Sequence, residues 1–158
     1  MPEDSVYPYE EAETKLVNIR NHGESKVDAY VGGETKSSNF EKSVFVNPFD
    51  KAEKGREGAV NHYKPYFYRR YLEESDFRKA AHSAEGKTLG CWCYPRKCHG
   101  EVIVDLLNIH IEDGVSGVIE HIEEEIGELH KEELGVQGFR EYEGAMDALE
   151  EVREEYGL

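Results

Sequence analysis

The apolar positions of this chain change period along its length, and the changes divide it. From Lys15 to Val46 they come in short runs between polar or glycine-rich breaks, which is the pattern of short strands. Lys15-Leu16-Val17-Asn18-Ile19-Arg20 predicts one strand and Asn21-His22-Gly23-Glu24 the turn after it. Asp28-Ala29-Tyr30-Val31 predicts a second strand running into Gly32-Gly33. Ser43-Val44-Phe45-Val46 predicts a third, ending at Asn47-Pro48-Phe49. Residues 1–14 read as a loose polar arm and residues 34–43 as a surface loop. From Gly55 helical spacing takes over: Ala59, Val60, Tyr63 and Phe67 share a face, with Pro65 expected to kink the helix or start a second one. Residues 77–85 predict a short polar helix or loop.

Extended structure returns at Gly86-Lys87-Thr88-Leu89-Gly90-Cys91-Trp92-Cys93, with Cys91 and Cys93 on one face and Trp92 on the other. Pro95 ends the strand because it has no N–H for a sheet ladder. Val102, Ile103, Leu106 and Leu107 then mark the buried side of a helix over Cys98–Asn108, broken at His110-Ile111-Glu112-Asp113-Gly114. Two amphipathic helices follow. Val115, Val118, Ile119, Ile122, Ile126 and Leu129 stripe the first, and Phe139, Tyr142, Met146, Leu149, Val152 and Tyr156 the second. With Gly135-Val136-Gln137-Gly138 as the turn, they form a helical hairpin. The expected organisation is an arm (1–14), an α/β core (15–110) and a hairpin (114–158).

Composition narrows the class. At 158 residues with 38% hydrophobic content, the chain buries a real core. No uninterrupted apolar run is long enough to span a membrane, and the acidic N-terminus has no apolar leader. A cytoplasmic or virion-associated protein is the expectation, without membrane partners. Three cysteines leave one over, which argues against a disulfide framework. The net charge of −15 is uneven: residues 51–100 carry eleven Lys/Arg against six Asp/Glu, and residues 101–158 three against eighteen. Like-charge repulsion disfavours nucleic-acid binding by the acidic hairpin. A hairpin of this kind can pair with a second copy, so a homodimer is compatible with it.

Candidate chemistry gathers at Cys91–Gly100. Cys98 and His99 stand near a helix N-terminus, where backbone N–H groups and the helix dipole favour negative charge. A Cys98 thiolate there is a candidate nucleophile, with His99 beside it. The same N–H groups, with Arg96 and Lys97, can hold a phosphate. Cys91, Cys93, Cys98 and His99 also offer four zinc ligands. Their spacing is not a common zinc pattern, and neighbours on a helix point about 100° apart. Buried cysteines that only pack remain the plain alternative. Elsewhere, Gly32-Gly33 allows close backbone approach, though such pairs commonly just turn. Asn47 can satisfy its own loop or read a ligand. Arg56, a cation near a helix N-terminus, calls for an anionic partner. The Glu123-Glu124-Glu125-Ile126-Gly127-Glu128 run contains an E-E-x-x-E pattern that resembles the magnesium-binding helix of MazG-related nucleotide pyrophosphohydrolases, but the later E-x-x-D is missing and the solvated outer face of a docking or dimerising hairpin is the preferred reading.

Taken in order, Tyr30-Val31-Gly32-Gly33, Asn47-Pro48-Phe49, Gly55-Arg56-Glu57 through Tyr63, and G-K-x-L-x-C-W-C-x-P-x-x-C-H-G over Gly86–Gly100 resemble the domain-of-unknown-function 4326 family. The resemblance covers about residues 15–108. That family is frequent in phages, archaeal viruses and bacteria and has no settled activity. The resemblance implies a small Rossmann-like three-layer α/β core, here with a C-terminal helical hairpin added. Pro65 and the acidic hairpin depart from the family pattern.

In open α/β sheets such strand ends and helix starts converge on a ligand crevice. The expected occupant is a phosphate-bearing small molecule, a nucleotide or nucleotide sugar. Gly32, Gly33 and Asn47 would shape the pocket, Arg56 and the helix start at Cys98 would hold phosphate, and Trp92 or Phe49 would lie against a ring. Cys98 and His99 are the catalytic candidates of a nucleotide-processing hydrolase or transferase. The competing reading is a non-catalytic structural or accessory protein, viral in setting, whose Cys/His cluster is structural or zinc-binding.

Overall fold

The computed structural model describes residues 6–8, 13–33, 40–49, 51–129 and 134–157. Parts of the expected arm (1–5 and 9–12) and of the expected loop (34–39) lie outside the described residues. Four short strands form one sheet: β1 (Val6–Tyr7), β2 (Lys15–Asn18), β3 (Ala29–Tyr30) and β4 (Thr88–Cys91), in spatial order β1-β2-β4-β3. Leu16 and Val17 of β2 are both buried, so this strand is covered on both faces, as parallel strands usually are. β2 and β3 flank β4 in parallel, with Leu16 beside Leu89 and Ala29 on its other side. A parallel pairing needs a crossover, supplied between β3 and β4 by α2 (Lys51–Glu73) and α3 (Ser75–Ser83). α1 (Ile19–His22) is a single turn capped by Asn18, so the first expected strand ends two residues early.

Several expectations are corrected. The arm contributes an edge strand, β1, which pairs antiparallel with β2. Tyr7 O–H ties it down further by donating to Asp105 at 2.7 Å. No third strand forms over 43–46. Ser43 Oγ accepts from Phe45 N–H at 3.0 Å and Ser43 O from Val46 N–H at 3.2 Å, so the segment closes a local turn and Phe45 tucks against Phe77. Helix α2 runs through Pro65, and its interruption falls at Gly55 instead (φ 74°, ψ 165°). Pro65 costs one N–H bond, but its φ suits a helix, and buried Tyr63, Phe67 and Tyr68 hold the segment in place around it.

The helix after the cysteine turn is α4 (Gly100–Gly127), longer than expected. It passes Asn108 and reorients only at Gly114 (φ 70°, ψ −159°), a conformation that glycine adopts readily. Gly100 lets it sit on β2: a Cβ there would lie 2.8 Å from Leu16 Cδ1. The expected turn at 135–138 is the first turn of α5 (Gly135–Tyr156). α5 packs chiefly along α2 and secondarily against α4, so the two last helices are joined to the α/β core as well as to each other. Its buried side is Ala145, Ala148 and Leu149, while Phe139, Met146 and Tyr156 of the expected stripe are exposed. Small residues allow this close approach, and Arg69 of α2 reaches across to Glu141. Val118, Ile119, Ile122 and Ile126 of α4 share one buried cluster with Leu89 and Ile103. The result is a mixed α/β fold, with a small four-stranded sheet and five α-helices among the described residues.

Candidate functional site

The cysteine turn folds largely onto itself. β4 ends at Cys91, whose sulfur accepts from Tyr94 N–H at 3.3 Å, and Arg96 N–H reaches Cys93 O at 2.9 Å. Asn18 Nδ2 ties the turn to β2 by donating to Trp92 O and Tyr94 O at 3.3 and 2.6 Å. At the helix start, Cys98 N–H donates to Glu101 Oε2 at 3.0 Å and Gly100 N–H to Cys98 Sγ at 3.4 Å. The N–H groups expected to hold a phosphate are thus partly taken by the chain's own carboxylate and sulfur.

Cys91 and Cys93 lie near Cys98, close enough for both to act on its thiol, and all three are free cysteines. Cys91, then Cys93, then burial push Cys98 well above the ordinary thiol range, opposite to the direction expected for a nucleophile. The partner effect appears at Cys91, which the Cys98 thiol pulls down. His99 faces elsewhere: its Nε2–H donates to Val31 O at 2.7 Å, and its ring meets Tyr63 edge-on at 4.8 Å. Cys91, Cys93, Cys98 and His99 therefore do not converge on one point. Among the described residues, the group whose ligand atoms all lie within 4.8 Å of one another is His82, Glu85 and His110.

The other expected binding residues separate. Asn47 Oδ1 accepts from Phe49 N–H at 3.0 Å and its Nδ2 donates to Ala59 O at 3.1 Å, so its side chain serves the loop. Phe49 is buried against His62 and Tyr66. Gly32 sits against the Tyr30 ring, whose hydroxyl donates to Gly33 O at 2.5 Å. Trp92 is half-buried, and its indole N–H approaches the Tyr30 hydroxyl without a well-formed hydrogen bond. Arg56 keeps a buried Nη1 with no acceptor among the described residues.

One open region lies between α2 and α4. A cavity of about 310 Å³ is lined by Glu57, His62, Lys64, Lys97, Glu125 and Glu128. A second, of about 90 Å³, shares Lys64, Lys97 and Glu125 and adds Tyr7, Glu101 and Asp105. The two adjoin along these three shared residues and are together called the α2–α4 groove. Lys97 of the cysteine turn lines both cavities, and Lys64 Nζ pairs with Glu125 Oε2 at 3.0 Å. Asp105 is its most perturbed carboxyl. Burial, then Glu101 and Glu125, push it up to about 6 against the opposing Tyr7 hydrogen bond and Lys64. Tyr7 is raised in turn by burial and by Asp105. The residues that sequence reasoning missed here include Tyr7, His62, Lys64, Glu101 and Asp105. Asp105 carried a visible signal, a lone acid amid Val102, Ile103, Val104, Leu106 and Leu107.

With this geometry in hand, the family model described as "Domain of unknown function (DUF4326)" matches residues 17–109. An uncharacterised 12.4 kDa protein in the nrdA-td intergenic region of Enterobacteria phage T4 is 36% identical over 59 residues, 37% of this chain. The match spans 54% of that relative, about half its length. No solved structure matches the chain.

Proposed function

The chain belongs to the DUF4326 family, and from that premise we propose that it binds a nucleotide or similar phosphate-bearing small molecule, carried with its divalent cation, between α2 and α4. The observation that carries this reading is the meeting of Lys64 and Lys97 with Glu101, Asp105, Glu125 and Glu128 along one groove. Acids outnumber lysines there, so a bare anion is repelled. A phosphate chain with a divalent cation presents both signs: oxygens for the lysines, a hard cation for the carboxylates. The parallel strands β2, β4 and β3 are read here as a reduced Rossmann-like core, with the cysteine turn at its strand ends directing Lys97 to the ligand.

Asp105, held at about 6, exchanges a proton near neutrality, which suits a nucleotide-processing hydrolase or transferase. Buried Cys91 and Cys98 fit a structural role better than a nucleophilic one. The likeness to a phage protein fits a viral setting.

Calorimetric titration with ATP, with and without Mg²⁺, tests the reading. Binding is expected with Mg²⁺, weakened about tenfold or more by chelation, by Lys97→Ala and by Glu125→Gln. Binding indifferent to all three changes, or no binding of any nucleoside phosphate, would overturn it. Turnover lost in Asp105→Asn with binding kept would assign that carboxyl the proton; binding without turnover in the native chain would leave the accessory reading.

A further inference from the structure

His82 and Glu85, three residues apart, meet His110 from 25 residues further on at the junction of α3, the turn before β4, and α4. His82 is in the last turn of α3, and Glu85 N–H bonds back to His82 O at 3.2 Å, so two of the three are locked by one local turn. His110 arrives from α4, stacks its ring on His82 with centroids 4.1 Å apart and planes 14° from parallel, and places Nδ1 2.5 Å from Glu85 Oε1. One ligand atom from each residue falls within 4.8 Å of the other two, and all three side chains are half-buried. Tyr71 O–H lies 2.6 Å from His82 Nε2, an outer partner that fixes the imidazole.

We propose that His82, Glu85 and His110 bind a divalent first-row transition metal ion, zinc foremost, that ties α3 to α4. Two imidazoles and one carboxylate form a donor set suited to zinc. Zinc holds such atoms at about 2.0–2.2 Å, so modest side-chain rotations close the present cluster around an ion. Stacked imidazoles repel one another when both are protonated, whereas a bound cation uses both in their neutral form. Glu85 supplies the negative charge that offsets the ion. Arg78, the nearby cation, is drawn off by Tyr71 O and Leu72 O at 2.8 and 3.1 Å. A cavity of about 120 Å³ opens on His82, also lined by Tyr71, Arg78 and Tyr156, and offers an entry path. This site is independent of the α2–α4 groove and shares none of its residues.

The experiment is titration of the chelator-stripped full chain with Zn²⁺ alone, followed by calorimetry and melting temperature. The partners are Glu85→Gln, His110→Ala and Cys98→Ser, each checked for native circular dichroism. Co²⁺ substitution reads the ligand type. About one ion per chain is expected, with a raised melting temperature, affinity at least about tenfold weaker in Glu85→Gln and His110→Ala, and a cobalt spectrum free of thiolate charge transfer. Glu85→Gln keeps the size and polarity of a half-exposed side chain, so it reports on the metal even where His110→Ala fails to fold. No zinc binding, or binding unchanged in Glu85→Gln, would overturn the assignment. Loss confined to Cys98→Ser with thiolate bands would also overturn it and move the ion to the cysteines.

Discussion

The cysteine turn and the α2–α4 groove make opposite use of their polar groups. In the turn, Cys91, Cys98 and His99 are buried and engaged with Tyr94 N–H, Gly100 N–H and Val31 O, so they satisfy the fold. In the groove, Lys64, Lys97, Asp105 and Glu125 line open cavities, and one carboxyl is held near neutrality. The part of the chain densest in reactive residue types is thus the better packed, and the part with ordinary residue types is the better poised. Reactivity depends on exposure and field at least as much as on residue identity.

The largest expected effect breaks the turn side of this contrast. Leu89 is fully buried in β4, and Leu89→Ala should cost about 3 kcal/mol in chemical denaturation; a loss below about 1 kcal/mol would mean that β4 is not core. Next is Asp105. Its carboxyl is raised in the folded chain, so the folded state holds its proton more tightly than the unfolded one. Stability from this group is present below its ordinary value near 3.8 and is lost as pH rises toward about 6. Asp105→Asn should remove that decline and be more stable than the native chain well above pH 6 by on the order of 3 kcal/mol, read from denaturation at a series of pH values. A variant parallel to the native chain across this window would deny the burial of the charge.

A smaller effect sharpens the turn side again. Cys98→Ser places a hydroxyl in a thiol's packing and should cost about 1 kcal/mol, while the native Cys98 thiol should alkylate slowly at neutral pH. Fast alkylation would restore the nucleophile. The smallest stability change belongs to the groove: exposed Lys97→Ala should shift stability by less than about 0.5 kcal/mol yet weaken ligand binding about tenfold.

Much of this fold was legible in the chain because its signals are local. The apolar pairs at Leu16-Val17 and Leu89-Gly90, and the helical stripe of Ala59, Val60, Tyr63 and Phe67, stand where the spacing predicts them. What was not legible depends on partners distant in sequence. Ser43-Val44-Phe45-Val46 has strand composition, but Ser43 closes a turn before any strand can pair with it. The stripe of α5 turned because Ala145 and Ala148 fit α2 more closely than Phe139 and Met146 do. At the site, the motif pointed to the cysteines, whereas Asp105 acquires its raised carboxyl only where Tyr7, Glu101 and Glu125 crowd it. His82 and Glu85 are a three-apart pair of possible ligands in the sequence, but His110 joins them only once α3 and α4 pack.

The most direct test of the groove as the ligand site is backbone amide chemical-shift mapping on the full chain during addition of ATP with Mg²⁺. The account predicts shifts at residues 57–64, 97, 101–105 and 125–129, with those around Cys91 and Gly32 nearly still. Shifts concentrated at residues 30–33, 56 and 92, or none at saturating nucleotide, would contradict it.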